Sequence, residues 1–398
     1  MNCAKNEYSF LAQFSTNYKI LTMKYFFCLV FFVTFVLACN TEQTYQTDYE
    51  VVNISEETLP PVKPLKLEKI NVQEDYLMGA MCFVYHDTVL LVVKTYDPYP
   101  LTHMVTIVNM NTNTKIGEYI TRGEGPNEIL STLPYFGNNT LDIQCVYTRK
   151  AISFNVDSAM ALGSLYQPRI IVPEENIYLT FRTFDDSLLI AENMYYFDGC
   201  DKFRTDPALP QYYYIDKKGK YIPDFKKSDY DMIKFMPGNC TGGAICVNRA
   251  KNRFVSCYGY QPVIKVYDTQ LNQIRQINGP EPNDAEYTLE ADGFTLFFNR
   301  KNGVCHYYNG SYYDDECIFV QNLRNYKWKR TKEGETYSQL ERETTELFKL
   351  DWDGNVIERY SAKGFTVLPI TYSKTTNTLY LYLSDEFGEV NLYKAKLD

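Results

Sequence analysis

The chain has 398 residues, 45% of them hydrophobic, which is enough material for a large buried core. Its formal charge of −9 and pI near 5.1 exclude nucleic acid as the main partner, because phosphate recognition needs a basic face. The 36 tyrosines and 24 phenylalanines favour strands and helical apolar stripes are scarce, so the composition points to an all-β protein.

Met23-Lys24 precedes an apolar run at 25–38 that ends at Cys39. A basic start, a short apolar stretch and a small final residue describe a signal peptide over 1–38, with the true start at Met23. The run is too short for a membrane span and polar residues follow at once; the alternative is an uncleaved anchor helix. Val36-Leu37-Ala38-Cys39 resembles the lipobox of bacterial lipoproteins, which implies lipidation at Cys39, although Val is a less usual first residue. Loss of 1–38 makes the chain more acidic, which suits solubility and disfavours adhesion to anionic headgroups. Residues 39–63, polar and carrying Pro60 and Pro61, then read as the lipidated cysteine and a flexible tether.

From residue 64 to 398 short apolar-aromatic runs alternate with Gly, Asn, Asp and Pro, the pattern of strands and turns. One unit recurs: a strand, a turn on Asp, Asn or Gly, and a second strand, at 105–120, 212–222, 263–277 and 347–360, with weaker copies at 151–157 and 389–396. Each copy predicts the outer hairpin of a propeller blade, and runs such as 88–93 and 378–383 supply inner strands. The fold class expected is all-β, a six-bladed β-propeller with four-stranded antiparallel blades. The last copy stops at Asp398 without its outer strand, so the segment at 65–72 is expected to pair with the final blade and close the ring. The charged stretch 326–346 interrupts the fifth blade, as an excursion from one face or as a loop.

Eight cysteines remain beyond Cys39, irregularly spaced and without a CxxC pair. Most read as buried small hydrophobes, with Cys240 and either Cys246 or Cys257 as the first pair to examine for a disulfide.

The run Arg-Gly-Glu-Gly-Pro-Asn-Glu at 122–128, the Asp-x-x-Gly hairpins and the lipobox together resemble the six-bladed TolB-like or NHL-like propeller lipoproteins of Gram-negative gut bacteria. The resemblance covers nearly the whole exported chain and implies an outer-membrane-anchored propeller. It implies no activity. A second copy of the motif, at 278–284, lacks the arginine.

Gly123, Gly125 and Pro126 suit the 122–128 run to carrying the chain from one blade to the next, with Arg122 and Glu128 able to pair. The functional alternative has Arg122, Glu124 and Glu128 lining the channel mouth. Asp351-Trp-Asp-Gly-Asn355 resembles the opening of a calcium loop, but its twelfth position is Ala362, so a hairpin turn is preferred. His86, His103 and His306 form no HExxH or HxH pattern, and no nucleophile elbow or P-loop occurs. Tyrosine clusters suit stacking on sugars or apolar side chains, but tyrosine is also a good sheet residue. At Tyr307, Tyr308, Tyr312 and Tyr313 the Asn309-Gly310-Ser311 sequence predicts a turn, and the binding and packing readings stand level.

The expectation is an envelope-anchored, non-catalytic binding or scaffold module for a protein or glycan partner, with no cofactor and no metal. The rival is a propeller enzyme of the lyase or hydrolase type with a polar site at the channel mouth. Convergent polar groups with perturbed pKa would favour the rival, and a plugged channel the binding module.

Overall fold

The apolar run at 88–93 shows how the chain closes on itself. In the computed structural model it lies in the strand Val89–Lys94, second in its sheet. Val89, Leu91 and Val93 enter a cluster with Phe136, Ile143 and Phe154 of the next sheet. Leu90 and Val92 enter another with Tyr380, Tyr382 and Leu392 of the last. The run at 378–383 behaves alike, with Leu379, Leu381 and Leu383 facing one neighbour and Tyr380 and Tyr382 the other. Strands buried on both faces read as continuous apolar runs rather than as an alternation.

Six sheets repeat this arrangement as a six-bladed β-propeller. Blade 1 comprises Ala80–Tyr85, Val89–Lys94, His103–Asn109 and Thr114–Arg122, with Glu128–Ile129 added in parallel; blade 2 comprises Leu133–Gly137, Thr140–Cys145, Lys150–Asn155 and Arg169–Ile171. Blade 3 holds Leu179–Thr183, Leu188–Asn193, Tyr212–Asp216 and Tyr221–Ile222; blade 4 holds Ala244–Asn248, Arg253–Cys257, Val263–Tyr267 and Gln273–Asn278. Tyr308–Tyr313, Ile318–Asn322, Thr344–Leu350 and Val356–Lys363 build blade 5, and Thr366–Ser373, Thr378–Ser384 and Val390–Lys396 the first three strands of blade 6. The structure describes residues 49–398 apart from 78, 96–102, 146–149, 174–178, 194, 198–201, 205–211, 223–242, 260–261, 281–286, 290–295, 299–307, 323–325, 331–335, 341–343, 364–365 and 385–388. Cys39 and the expected signal peptide lie outside the described residues. Among the described residues no helix is long and apolar enough to cross a membrane.

Blade 6 takes its fourth strand from the other end of the chain, as the sequence predicts. Glu68–Lys69 pairs antiparallel with Val390–Lys396, and the Ile70 N–H donates to the Leu392 carbonyl at 2.8 Å. The stretch read as tether differs from that reading from residue 50 onward. Glu50–Asn53 adds in parallel to the outer strand of blade 4 and Val62–Pro64 to that of blade 5, so residues 50–69 form a belt across three blades. Prolines are tolerated there because an edge strand leaves one row of backbone groups outside the ladder. Arg359, nearly buried on blade 5, ties Glu346 (2.5 Å) to Glu56 of the belt (2.8 Å). Arg275 Nε lies 3.0 Å from Glu50 but off-line for a hydrogen bond; its Nη1 donates to Asp353 O and Asn355 Oδ1 instead.

The hairpin turns are self-contained. The Asp351 carboxylate accepts the Asp353 and Asn355 N–H groups at 3.0 and 2.9 Å, and the Asn355 amide at 2.8 Å. Asp268 and Asp216 hold their turns in the same way. The left-handed position is Gly219 at φ 84° and Gly354 at φ 82°, and Leu271 adopts it in blade 4 at φ 66°. Asp351 thus spends its oxygens on its own turn, as the hairpin reading expects.

Polar groups also staple neighbouring blades. Buried Asp142 in blade 2 accepts the Thr183 N–H at 2.9 Å and its hydroxyl at 2.5 Å from the first strand of blade 3. Burial raises the Asp142 carboxyl, opposed by the Thr183 bonds and by Arg182 and Arg169. Asp142→Ala removes both acceptors from an interior amide and is expected to cost about 2–4 kcal/mol in urea unfolding. An unchanged midpoint would show that this seam does not depend on the carboxylate. Cys82, Cys145, Cys246, Cys257 and Cys317 are buried, as read from the sequence, and Cys246 and Cys257 are free thiols. Cys240 lies outside the described residues.

Candidate functional site

Antiparallel blades around one ring divide their connections into two sets. Turns from first to second and from third to fourth strand lie on one face; those from second to third strand, and on to the next blade, lie on the other. The first set is short, as at His86–Asp87, Asn138–Asn139 and Asp216–Lys220, apart from the helix Val156–Leu162 in blade 2. The four longest connections belong to the second set: between Asn193 and Tyr212, Ile222 and Ala244, Asn278 and Tyr308, and Asn322 and Thr344. Three of them carry hairpins of their own, Tyr195–Phe197 with Lys202–Arg204, Tyr287–Leu289 with Leu296–Phe298, and Tyr326–Arg330 with Thr336–Leu340. The hairpin of the charged 326–346 stretch, Tyr326–Arg330 with Thr336–Leu340, is therefore an excursion from this connection face, while Thr344–Glu346 already belongs to the third strand of blade 5.

The Arg122–Glu128 run belongs to the same face and joins blade 1 to blade 2. Glu128 turns its carboxylate back to accept the Gly125 N–H at 2.9 Å. Lys150, buried in blade 2, donates to the Glu128 carbonyl at 2.6 Å and also to that of Gly125. The run is fastened by its own backbone and by Lys150, while Glu124 is exposed.

The tyrosines of blade 5 lie elsewhere than the sequence suggests. Asn309-Gly310-Ser311 is no turn but a bulge inside the strand Tyr308–Tyr313. Tyr308 is buried, donates to the Gly279 carbonyl at 3.1 Å and packs on Phe348. Half-buried Tyr312 lies between Phe136 and Tyr372. Tyr313 is buried against Trp352. Tyr307 lies outside the described residues. Here tyrosine serves chiefly as an amphipathic sheet residue whose hydroxyl reaches across a seam, as when Tyr212 donates to Ser256 at 2.7 Å.

Tyr313 also crosses the ring. Its carbonyl accepts the Asn138 N–H of the opposite blade at 3.0 Å, and its ring lies so close to Gly137 that a Cβ there would meet it at 2.5 Å. This contact blocks the central channel at its short-turn end. A second obstruction is Arg182, whose guanidinium lies 3.7 Å over the Tyr135 ring of blade 2 while Nε donates to Ile245 O of blade 4 at 2.9 Å. One buried arginine thus spans the first strands of three successive blades.

Arg182 belongs to a polar cluster that sequence reasoning missed. On the same side of blade 3, Glu192 is buried, and its strand leads directly into the connection at 194–211. Burial pushes the Glu192 carboxyl up to about 8, with Arg182 pulling the other way. Across the seam stand Ser256, Tyr258, Lys265 and Tyr267 of blade 4, and burial lowers the Lys265 ammonium. A charged residue directly after buried apolar ones, as in Phe181-Arg182 and Ile-Ala-Glu192, was the available signal. Among the described residues no cluster of His, Cys, Asp and Glu fit to hold a metal occurs.

No protein-family profile matches the chain, and neither does any curated protein. Solved structures do. A member of the DUF4221 family from Bacteroides vulgatus aligns with a TM-score of 0.51 at 11% identity, over 84% of this chain and 96% of its own. A protein of Bacteroides fragilis described as exported aligns with a TM-score of 0.47 at 10% identity, over 87% of this chain and 99% of its own. At such low identity the likeness to the DUF4221 structure is one of fold, and that fold is the six-bladed propeller.

Proposed function

We propose that this protein is a lipid-anchored envelope module that binds or scaffolds a protein or glycan partner on its connection face, without catalysis. The observation that carries the reading is the asymmetry of the ring: the four longest connections emerge on one face, while Tyr313 and Arg182 obstruct the channel where many propellers keep a site. The lipobox at Cys39 supplies the address, at the outer membrane in the TolB-like or NHL-like lipoproteins that the sequence resembles. A partner held through several loops needs neither a cofactor nor a perturbed general base. The enzyme reading draws its support from Glu192, whose raised pKa beside Arg182 suits a general acid, but the cluster lies in a seam between blades.

The test is purification of the tagged, lipidated protein from its native envelope in mild detergent, with partners identified by mass spectrometry. One partner at near-equal amount is the expected result. Replacing 326–340 by a two-residue Asn-Gly turn should then lower its recovery at least about fivefold while leaving the melting temperature within a few degrees. No partner above background, together with no binding across a glycan array, would overturn the reading.

A further inference from the structure

The seam between blades 3 and 4 holds a buried cation without a buried anion bonded to it. Arg182 is 1% exposed. Its Nε donates to Ile245 O and its Nη1 to Phe181 O, both neutral carbonyls, and Tyr135 covers one face of the guanidinium. Nη2 is buried with no hydrogen-bond partner. The same holds for Oε1 of Glu192, also 1% exposed and set one cross-strand step away on the same side of blade 3. The carboxylate of Asp142 is already occupied by Thr183.

Leaving a charged N–H unpaired in the interior costs several kcal/mol, so an arginine held rigid on three sides with one open edge has the form of an anion receptor. Glu192 does not neutralise it, because the acid keeps its proton at neutral pH and offers an O–H instead. Two unpartnered buried atoms, one on a cation and one on a neutral acid, thus lie on the same side of blade 3, on diagonal positions of adjacent strands. We propose that this seam binds a small carboxylate, one oxygen taking the Nη2–H of Arg182 and the other the O–H of Glu192. A hydroxyl or water would satisfy the geometry but bring no negative charge to the open edge of the guanidinium. The site is separate from the partner surface of the connection face, so either reading can fail alone.

Arg182, Tyr212 and Tyr267 lie within electrostatic reach of Glu192, and Ser256, Tyr258 and Lys265 of blade 4 belong to the same seam; Cys246 lies near Arg182. Burial keeps the thiol and the hydroxyls of Tyr212 and Tyr267 protonated well above neutrality and lowers the Lys265 ammonium, while the Glu192 carboxyl changes charge near pH 8. Once ionised, it repels a carboxylate.

The experiment is a thermal-shift and calorimetric titration of the full chain with sodium acetate against sodium chloride at equal ionic strength. Acetate is expected to raise the melting temperature by about 2 °C or more at pH 6.5. Its affinity should fall about tenfold per pH unit above 8. Glu192→Gln, whose amide still donates, should bind acetate with no such fall, and Arg182→Gln should lose the effect. If Arg182→Gln does not fold, the flat profile of Glu192→Gln against the falling one of the wild type decides the matter. Glucuronate and a short peptide with a free or amidated C-terminus, run alongside, distinguish a sugar acid from a chain end. No preference for any of these carboxylates over chloride at pH 6.5, or a wild-type affinity indifferent to pH, overturns the proposal.

Discussion

A chain that begins at residue 72 is expected to lose cooperative folding, while one that begins at residue 49 keeps it. The shorter chain lacks the fourth strand of blade 6 and the strands added to blades 4 and 5. It also lacks Val52, Ile54 and Leu59 from the seam of blades 4 and 5, Leu65 and Leu67 from that of blades 5 and 6, and Ile70 from that of blades 6 and 1. At about 1 kcal/mol for each half-buried side chain, the loss is about 6 kcal/mol, comparable with the whole stability of an ordinary domain. The polar fastening goes with it. Burial would raise the Glu358 carboxyl, but hydrogen bonds from Lys63, Lys349 and Tyr360 overcome this and hold it at about 2. That contribution is present above the ordinary carboxylate pKa and fades as pH falls towards 2. Calorimetry of the two chains gives the answer: equal melting temperatures would show that the belt is decoration and that the ring closes without it.

Glu192→Gln is expected to make the protein more stable in mild alkali. The acid keeps its proton up to about pH 8 in the folded chain, while an unfolded glutamate releases it near 4.5. Below 4.5 both states hold the proton. Between 4.5 and 8 only the folded state does, so wild-type stability falls as pH rises, by about 1.4 kcal/mol per unit at most. Above 8 the fall ends. Glutamine has no such slope, so the variant should gain about 4 kcal/mol relative to wild type between pH 4.5 and 8. Urea midpoints at four or five pH values measure it; parallel curves for the two proteins would place the Glu192 carboxyl in ordinary solvation.

The blades were legible because their signals are local. A turn such as Asp351–Asn355 bonds to itself, and a strand such as Val89–Lys94, buried on both faces, needs a continuous apolar run. Closure by residues near 65–72 followed from counting: the last copy lacked an outer strand. The belt at 50–64 escaped because an outermost strand pairs on one side only and stays polar, so Glu50-Val-Val-Asn53 looks like linker. Tyr308 and Tyr313 were misplaced because Asn-Gly-Ser marks a turn and a bulge equally well. Arg182 and Glu192 were legible only as charges interrupting buried strands, and nothing in the sequence shows that blade 4 covers them.

The central claim is that the connection face, rather than the short-turn face, meets the partner. Site-specific photo-crosslinking in intact cells tests it most directly, with the reactive residue placed at Glu124 on the connection face or at Lys218, Gln270 or Asp353 on the opposite turns, all exposed. The account predicts a discrete crosslinked product from position 124 and none from 218, 270 or 353. Crosslinks confined to the three turn positions would contradict it and move the binding surface to the other end of the ring.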